Sequence, residues 1–287
     1  MSKPRLIPVT LFLNLLISLS VPAQTVNLED VYEKGNRLSY HGYEVTRSLN
    51  ERTGVSSVTI KKGGRVLKRF DDGGRSLDFT NIALFALLGG DTKQLVIDQY
   101  SGGAHCCTSF WVYDLAGPAL KQLYDSARYD VGISPVIVDI DRDGIYEFTQ
   151  TVMAFDYFDD MAHAESPFPR TAFKYDKSAG RYVPATGRVV TDYLLSEVGK
   201  DVDEVKKLNR GLTSTRRADV GGGYVGAVLQ VALQYIYTGR EQEGWDFYDR
   251  EYRLDDKARM KMKVTSVLRK SAVYNSIYRR ANRRGAS

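Results

Sequence analysis

Residues 139–147 read Asp-Ile-Asp-Arg-Asp-Gly-Ile-Tyr-Glu, and the acids recur at the spacing of a compact calcium loop. Alternate side chains can turn toward one cation, and a glycine at position 144 permits a sharp reversal of the chain. A carbonyl and a further carboxylate after the turn would complete the roughly six to eight oxygen ligands that calcium prefers. The stretch therefore predicts a Ca²⁺ site whose ligands are Asp139, Asp141, Asp143, Ile145 and Glu147.

The flanks of this loop are strands, which distinguishes it from a helix–loop–helix calcium site. Residues 134–138 and 146–152 have strand character, and Gln150 stands where an EF-hand needs a bidentate Glu. The order strand, acid loop, strand resembles the FG-GAP/VCBS repeat of integrin-type propellers, which implies a calcium-loop hairpin inside a blade-like β-sheet. The alternative is an Asp-rich hairpin turn whose carboxylates cap backbone amides without metal.

A weak internal repeat organises the first half of the chain. Hairpin patterns occupy residues 58–68, 110–124 and 172–183, and the first two lead to apolar strands that begin at residues 95 and 146. Residues 88–95 look like the same turn with its acids lost. About two and a half such units are fewer than the four or so blades that a closed propeller needs. We therefore expect a β-propeller-like but open antiparallel meander or sandwich-like sheet, with its edges covered by the helical half or by a second molecule.

Helical patterns replace strand patterns from about residue 187. Segments 222–238, 241–252 and 255–284 are each predicted as helices, so the fold class is α+β, with a β-rich domain at 24–186 and an α-helical domain at 187–287. Small residues at Ala232 and Gly244 and bulky ones at Tyr235 and Tyr248 resemble a tetratricopeptide hairpin. The alternative is a helix pair that packs on the sheet.

The N-terminus has the pattern of a signal peptide. Two positive charges precede a mostly apolar run over residues 6–21, and Val21-Pro22-Ala23 offers the small residues that a signal peptidase reads. We expect cleavage before Gln24 and a periplasmic or secreted protein with no transmembrane span after cleavage. An uncleaved signal anchor is the alternative.

Charge divides the chain into two parts of opposite sign. Residues 257–287 carry ten Lys or Arg and no acid. Residues 24–256 carry a formal charge of −7, although the whole chain carries +5. The basic C-terminal helix could contact an anionic surface or the acidic body of its own chain. Export argues against a nucleic-acid partner and leaves an envelope protein or a glycan.

Both cysteines of the chain lie in one short motif. Residues 102–107 read Gly-Gly-Ala-His-Cys-Cys, and in an oxidising compartment Cys106 and Cys107 could form a vicinal disulfide, pair between molecules or stay reduced and buried. The motif resembles a signature of uncharacterised exported bacterial proteins, which implies no activity. A copper or zinc site using His105 is a further alternative, although adjacent cysteines rarely both reach one ion.

The sequence offers a second loop for binding and little for catalysis. Residues 155–165 form an acidic aromatic loop, and its members together with His105 make a candidate ligand rim: His105, Asp156, Tyr157, Asp159, Asp160 and His163. Serine-elbow, zinc-helix and phosphate-loop motifs are absent from the sequence. We therefore expect a non-catalytic, calcium-stabilised binding protein with no catalytic residues. The alternative is an extracytoplasmic hydrolase with a Cys/His or paired-carboxylate site.

Overall fold

The computed structural model describes residues 23–71, 80–102 and 108–284. Within these ranges thirteen strands form three antiparallel sheets, and helices follow from residue 188 onward. The predicted α+β class is confirmed. Most of the predicted signal peptide and the segment with His105, Cys106 and Cys107 lie outside the described residues.

Each sheet is a meander of four strands that follow one another along the chain. The first sheet contains β2 (Arg37–Tyr40), β3 (Tyr43–Asn50), β4 (Val55–Lys62) and β5 (Arg65–Phe70). The second contains β6 (Thr80–Phe85), β7 (Gln94–Tyr100), β8 (Thr108–Asp114) and β9 (Lys121–Asp125). The third contains β10 (Val131–Asp139), β11 (Glu147–Val152), β12 (Arg170–Asp176) and β13 (Arg181–Pro184), with β1 (Gln24–Val26) added beside β10.

Three complete units replace the two and a half expected from the repeat. The difference arises at the start of the chain, where β2 and β3 form a tight hairpin around His41 and Gly42, both of which have positive φ. The strand before the turn is only four residues long, so it gives little periodicity to detect. The open antiparallel meander expected from the sequence is confirmed, and it is divided among three sheets.

The sheets stack face to face, and alternating residues supply two cores. Val45 and Ile60 of the first sheet share one buried cluster with Ile97 and Trp111 of the second. Residues with the opposite parity in the second sheet, such as Val96 and Phe110, belong to a larger cluster that includes the third sheet. The Phe110 and Phe148 rings meet edge to face at 5.4 Å. The second sheet is thus apolar on both faces, as a central layer must be.

The helices cover the third sheet and belong to the same core. Their bounds are α1 (Leu28–Val31), α2 (Arg188–Leu195), α3 (Val198–Gly211), α4 (Gly222–Tyr237), α5 (Glu241–Glu251), α6 (Lys257–Lys270) and α7 (Ala272–Arg284). Helix α4 is apolar over most of its surface, and its Gln230 and Gln234 accept the backbone N–H groups of Phe168 and Arg170 at 2.6 and 2.8 Å. These bonds tie the central helix to the beginning of β12.

Helices α4 and α5 cross at a point of backbone contact. A Cβ on Gly244 would lie 2.5 Å from the carbonyl oxygen of Ala232, so only glycine fits there. The two small residues noted in the sequence therefore face one another across this helix pair. Within the described ranges, no helix has both the length and the apolar character needed to cross a membrane.

The predicted single helix over 255–284 is wrong, because Ser271 divides it into α6 and α7. The backbone of Ser271 is extended, and its hydroxyl accepts the N–H of Tyr274 at 3.1 Å, which caps the start of α7. The Tyr237 hydroxyl on α4 lies 3.0 Å from the same oxygen. A buried polar network thus fixes the break, which the helical periodicity of the flanking residues conceals.

Candidate metal centre

The predicted calcium loop joins the two central strands of the third sheet. Val138 pairs with Glu147, so Asp139 is the last residue of β10 and Glu147 the first of β11. Strand β1 covers the other side of Asp139 through the pair Gln24 and Asp139. As a result Asp139 is only 8 % exposed and Glu147 is fully buried, which is unusual for carboxylates without a partner.

Part of the acid set folds the turn itself. The N–H groups of Gly144 and Ile145 donate to Asp139 Oδ2 and Asp143 Oδ1 at 3.2 and 2.8 Å. The N–H of Ile140 donates to Glu147 Oε2 at 2.9 Å. These bonds are those of the metal-free alternative, a turn in which carboxylates cap amides. They use one oxygen of each of these three carboxylates, and the second oxygen of Asp139 accepts no hydrogen bond.

Oxygens of three of these carboxylates converge. Asp139, Asp141 and Glu147 each place one carboxylate oxygen within 4.8 Å of the other two. Calcium binds oxygen at about 2.4 Å, so two of its ligands can be at most about 4.8 Å apart, and the trio meets that limit. Asp139 Oδ1 is buried and accepts no hydrogen bond, which costs free energy unless a cation or donor is bound. The donor set, entirely hard oxygen, fits calcium.

Burial changes the acidity of the innermost member. It raises the pKa of Glu147 to about 7, and the nearby charge of Asp141 acts in the same direction, although the Ile140 N–H and Lys174 act against it. A cation bound in the cluster would lower this pKa, because a nearby positive charge favours the ionised carboxylate.

Lys174 is the functional residue that the sequence did not reveal. It lies on β12, and because Phe173 pairs with Phe148, Lys174 stands next to Glu147 across the sheet. Its ammonium forms an ion pair with Asp141 and lies 3.2 Å from Asp143 Oδ2 and 3.4 Å from Glu147 Oε1. Only the register of β11 and β12, which is not evident from the sequence, could have placed it there.

The five predicted ligands are thus brought together to different degrees. Asp139, Asp141 and Glu147 form the converging trio. Asp143 stands at its margin, with one oxygen on the Ile145 amide and the other toward Lys174. The contact observed for Ile145 uses its N–H rather than its carbonyl.

The turn that the sequence analysis identified as an acid-poor copy lies against the acidic turn. Residues 86–93 join β6 and β7 as residues 140–146 join β10 and β11. The N–H of Tyr146 donates to the Leu87 carbonyl at 2.8 Å. A Cβ on Gly89 would lie 2.6 Å from the Gly144 carbonyl oxygen. The two turns therefore support one another through their backbones.

The predicted rim at 155–165 is largely a structural crossover. The Glu165 carboxylate accepts the N–H of Gly223 at the start of α4 at 3.1 Å. The Glu165 carbonyl oxygen lies so close to Gly226 that a side chain there would collide with it. Asp159 is paired with Lys263 and lies 3.9 Å from Arg217. Tyr157, 54 % exposed, is the member that presents a ring to solvent.

One pair in this loop has the form of a hydrolase component. Asp156 Oδ1 lies 2.8 Å from His163 Nδ1, which would orient the imidazole. The Ser166 hydroxyl of the same loop donates to the Ala162 carbonyl and accepts the Tyr157 N–H, so it is committed to the fold. The pair gains no nucleophile from within this loop.

The basic tail contacts its own chain in several places. Lys261 lies 2.6 Å from a carboxylate oxygen of Asp249, and Lys257 donates to the Asp249 carbonyl at 2.7 Å. Together with the pair between Lys263 and Asp159, these contacts direct part of the positive charge of α6 onto acids of the body. They correspond to the intramolecular alternative stated for the tail.

A cleft of about 690 Å³ lies where β1 and α1 meet the end of β7 and the middle of β10, and it was not predicted from the sequence. Its walls include Tyr32, Tyr100, Glu29 and Asp98. Asp98 is buried and accepts a 2.6 Å hydrogen bond from the Tyr32 hydroxyl. Burial and this carboxylate raise the pKa of Tyr32 well above its ordinary value. Concave sites lined by aromatic rings and a few polar groups are typical of ligand pockets.

Comparison with protein-family models, with curated proteins and with solved structures found no match to this chain. The acidic turn is the site where sequence pattern, burial and unpaired oxygen coincide.

Proposed function

We propose that this chain is an exported, non-catalytic binding protein whose third sheet is stabilised by a structural Ca²⁺ at the turn 139–147. The observation that carries the proposal is the buried Asp139 Oδ1, which accepts no hydrogen bond in a carboxylate that belongs to the trio with Asp141 and Glu147. If the acids of the turn only capped backbone amides, burial of a carboxylate oxygen without a hydrogen-bond partner would bring no benefit.

Calcium would act here on stability rather than on a reaction. Asp139, Asp141 and Glu147 would hold the ion, with Asp143 beside them. Four carboxylates share this small volume, so a divalent cation would offset much of their negative charge. It would also fasten the end of β10 to the start of β11, and through Tyr146 it would steady the neighbouring turn.

Thermal melting of the mature chain tests the metal. Excess chelator should lower the melting temperature relative to millimolar calcium, because an ion that binds only the folded state stabilises it by about 2.7 kcal/mol at one hundred times its Kd. Asp141→Ala should abolish the difference. Asp91→Ala, which removes the exposed acid of the sibling turn, is the matched control and should keep it. Overlapping transitions of the wild type in chelator and calcium would refute the calcium site.

Export is tested separately. Gln24 begins β1 and pairs with Asp139, so cleavage before it would leave the edge of the third sheet intact. N-terminal sequencing of protein from the native envelope fraction should begin at Gln24. A chain that retains Met1 and pellets with membranes would support the signal-anchor alternative.

We assign ligand binding to the cleft beside Asp98, with a glycan as the ligand. Co-sedimentation with insoluble peptidoglycan provides the assay. Tyr100→Ala should reduce binding, whereas Tyr157→Ala, which removes the exposed ring of the 155–165 loop, should not. The reverse result would move the binding surface to that loop, and no sedimentation of the wild type would exclude this glycan.

A further inference from the structure

Lys174 is placed so that its ammonium lies among the predicted calcium ligands. The side chain extends from β12 past Glu147 and reaches the turn between β10 and β11. It contacts Asp141, Asp143 and Glu147, three of the five residues in the predicted ligand set. This ammonium is a cation built into the chain at the position where calcium is expected.

The contacts of Lys174 make it a strongly held ammonium. It donates hydrogen bonds to Asp141 and Asp143 and forms an ion pair with Glu147, so three carboxylates surround one ammonium. Two cations a few ångströms apart repel strongly inside a protein. Calcium and the Lys174 ammonium therefore cannot occupy the same carboxylates together.

The ammonium leaves one part of the site unsatisfied. Asp139 Oδ1, in a residue that is 92 % buried, receives no hydrogen bond from Lys174 or from any other donor in the described ranges. A single ammonium thus satisfies the outer side of the cluster and not its inner end. A divalent ion could reach both, which gives calcium an advantage that Lys174 lacks.

The lysine is also free to leave. About one third of its side chain is exposed, and its flexible four-carbon stem can carry the ammonium into water without movement of β12. Asp139 and Glu147, in contrast, are fixed by backbone hydrogen bonds of the turn.

We propose that Lys174 is a tethered competitor of calcium: it neutralises the acidic turn in the calcium-free protein and is displaced when calcium binds. This inference rests on the calcium site proposed above. Lys174 then sets the affinity for the ion, because binding must first break its ion pairs, and it keeps the turn folded when calcium is scarce.

Calcium titration by calorimetry tests the proposal with Lys174→Gln and the matched variant Lys177→Gln, which removes an exposed lysine three residues away. Lys174→Gln should bind calcium about tenfold more tightly, the change expected when ion pairs of this kind no longer have to be broken. Its melting temperature in chelator should fall. Lys177→Gln should match the wild type in both measurements.

The outcomes separate this inference from the calcium site itself. Equal or weaker calcium affinity in Lys174→Gln would overturn the role of Lys174 and leave the calcium site in place. If neither the wild type nor Lys174→Gln binds calcium, the site fails, and the inference with it.

A measurement on the wild type avoids any dependence on the folding of a variant. Reductive methylation followed by mass spectrometry should show Lys174 modified slowly in chelator and several-fold faster in millimolar calcium. Lys177 serves as the internal standard and should be modified at one rate in both conditions. An unchanged rate at Lys174 in a sample that binds calcium would overturn the inference.

Discussion

The turn at residues 140–146 and the turn at residues 86–93 hold the same place in two successive sheets, and they solve one backbone problem with different chemistry. In the third sheet the first residue of the second strand, Glu147, accepts the N–H of Ile140 at 2.9 Å. In the second sheet the corresponding residue, Gln94, accepts the N–H of Leu88 at 3.1 Å. Both acceptors are buried, so each satisfies an amide that water cannot reach.

The difference lies in what surrounds the acceptor. The residue before the bonded amide is Asp139 in one turn and Leu87 in the other, and both are buried. Gln94 shows that a neutral amide is sufficient to form this turn. The charge on Glu147 is therefore not needed for the backbone, which strengthens the case that it binds a cation.

The contact between the two turns gives the largest expected effect. Gly89→Ala should destabilise the protein by roughly 3–5 kcal/mol for two reasons. The alanine would have a positive φ, which is unfavourable for residues with a Cβ, and its Cβ would clash with the Gly144 carbonyl. Gly90→Ala has nearly the same φ and nothing within 4 Å, so it should cost only about 1–2 kcal/mol. Urea unfolding of both variants measures the difference. Equal losses would show that the turns do not depend on one another.

The buried charge of Glu147 should make the metal-free protein sensitive to pH. Because its pKa is raised from 4.5 to about 7, the folded state keeps a proton that the unfolded state has lost between these values. The contribution of Glu147 to the free energy of unfolding should therefore be greatest below pH 4.5. It should fall by roughly 3 kcal/mol as the pH rises through 7.

Urea unfolding in chelator at pH 5 and pH 7.5 measures this slope. Glu147→Gln removes the titrating group and copies Gln94, so the fall between the two pH values should be smaller than in the wild type. Identical slopes would show that Glu147 is not the source.

A double exchange converts the acidic turn toward its sibling. Asp139→Leu with Glu147→Gln should keep the fold, because each new residue already occupies the matching position in the second sheet. The double variant should lose the stabilisation by calcium, which is about 2.7 kcal/mol at a calcium concentration one hundred times the Kd. Melting in chelator and in calcium gives the readout. A response that survives would place the calcium ligands elsewhere.

The same comparison shows how far the sequence could be interpreted. Strand patterns and the acid spacing predicted the hairpin, the α+β class and the relation between the two turns, because each depends on residues close together along the chain. Lys174 and Gln94 were missed for different reasons. Lys174 enters the site only through the register of β11 and β12. The Gln94 side chain accepts a backbone N–H, and no sequence motif describes that hydrogen bond.

Other misses have a similar origin. The cleft beside Asp98 depends on β1 and α1, two short elements with almost no periodicity, folding against strands from the middle of the chain. The break at Ser271 depends on a tyrosine 34 residues earlier. Contacts of this range are set by packing, and one sequence carries little record of them.

The smallest effect concerns the hydroxyl that links both turns to the end of the third sheet. Tyr182 donates to the Tyr146 carbonyl at 3.1 Å and lies 3.5 Å from the Leu87 carbonyl, so one side chain contacts the backbone of both turns. Tyr182→Phe should cost about 1 kcal/mol, the usual contribution of one buried hydrogen bond. Tyr175→Phe, a half-buried neighbour 5.7 Å away, is the control and should cost less. If Tyr182 matters only as a packed ring, the two variants will unfold at the same urea concentration, and the turns will be joined by their own backbones alone.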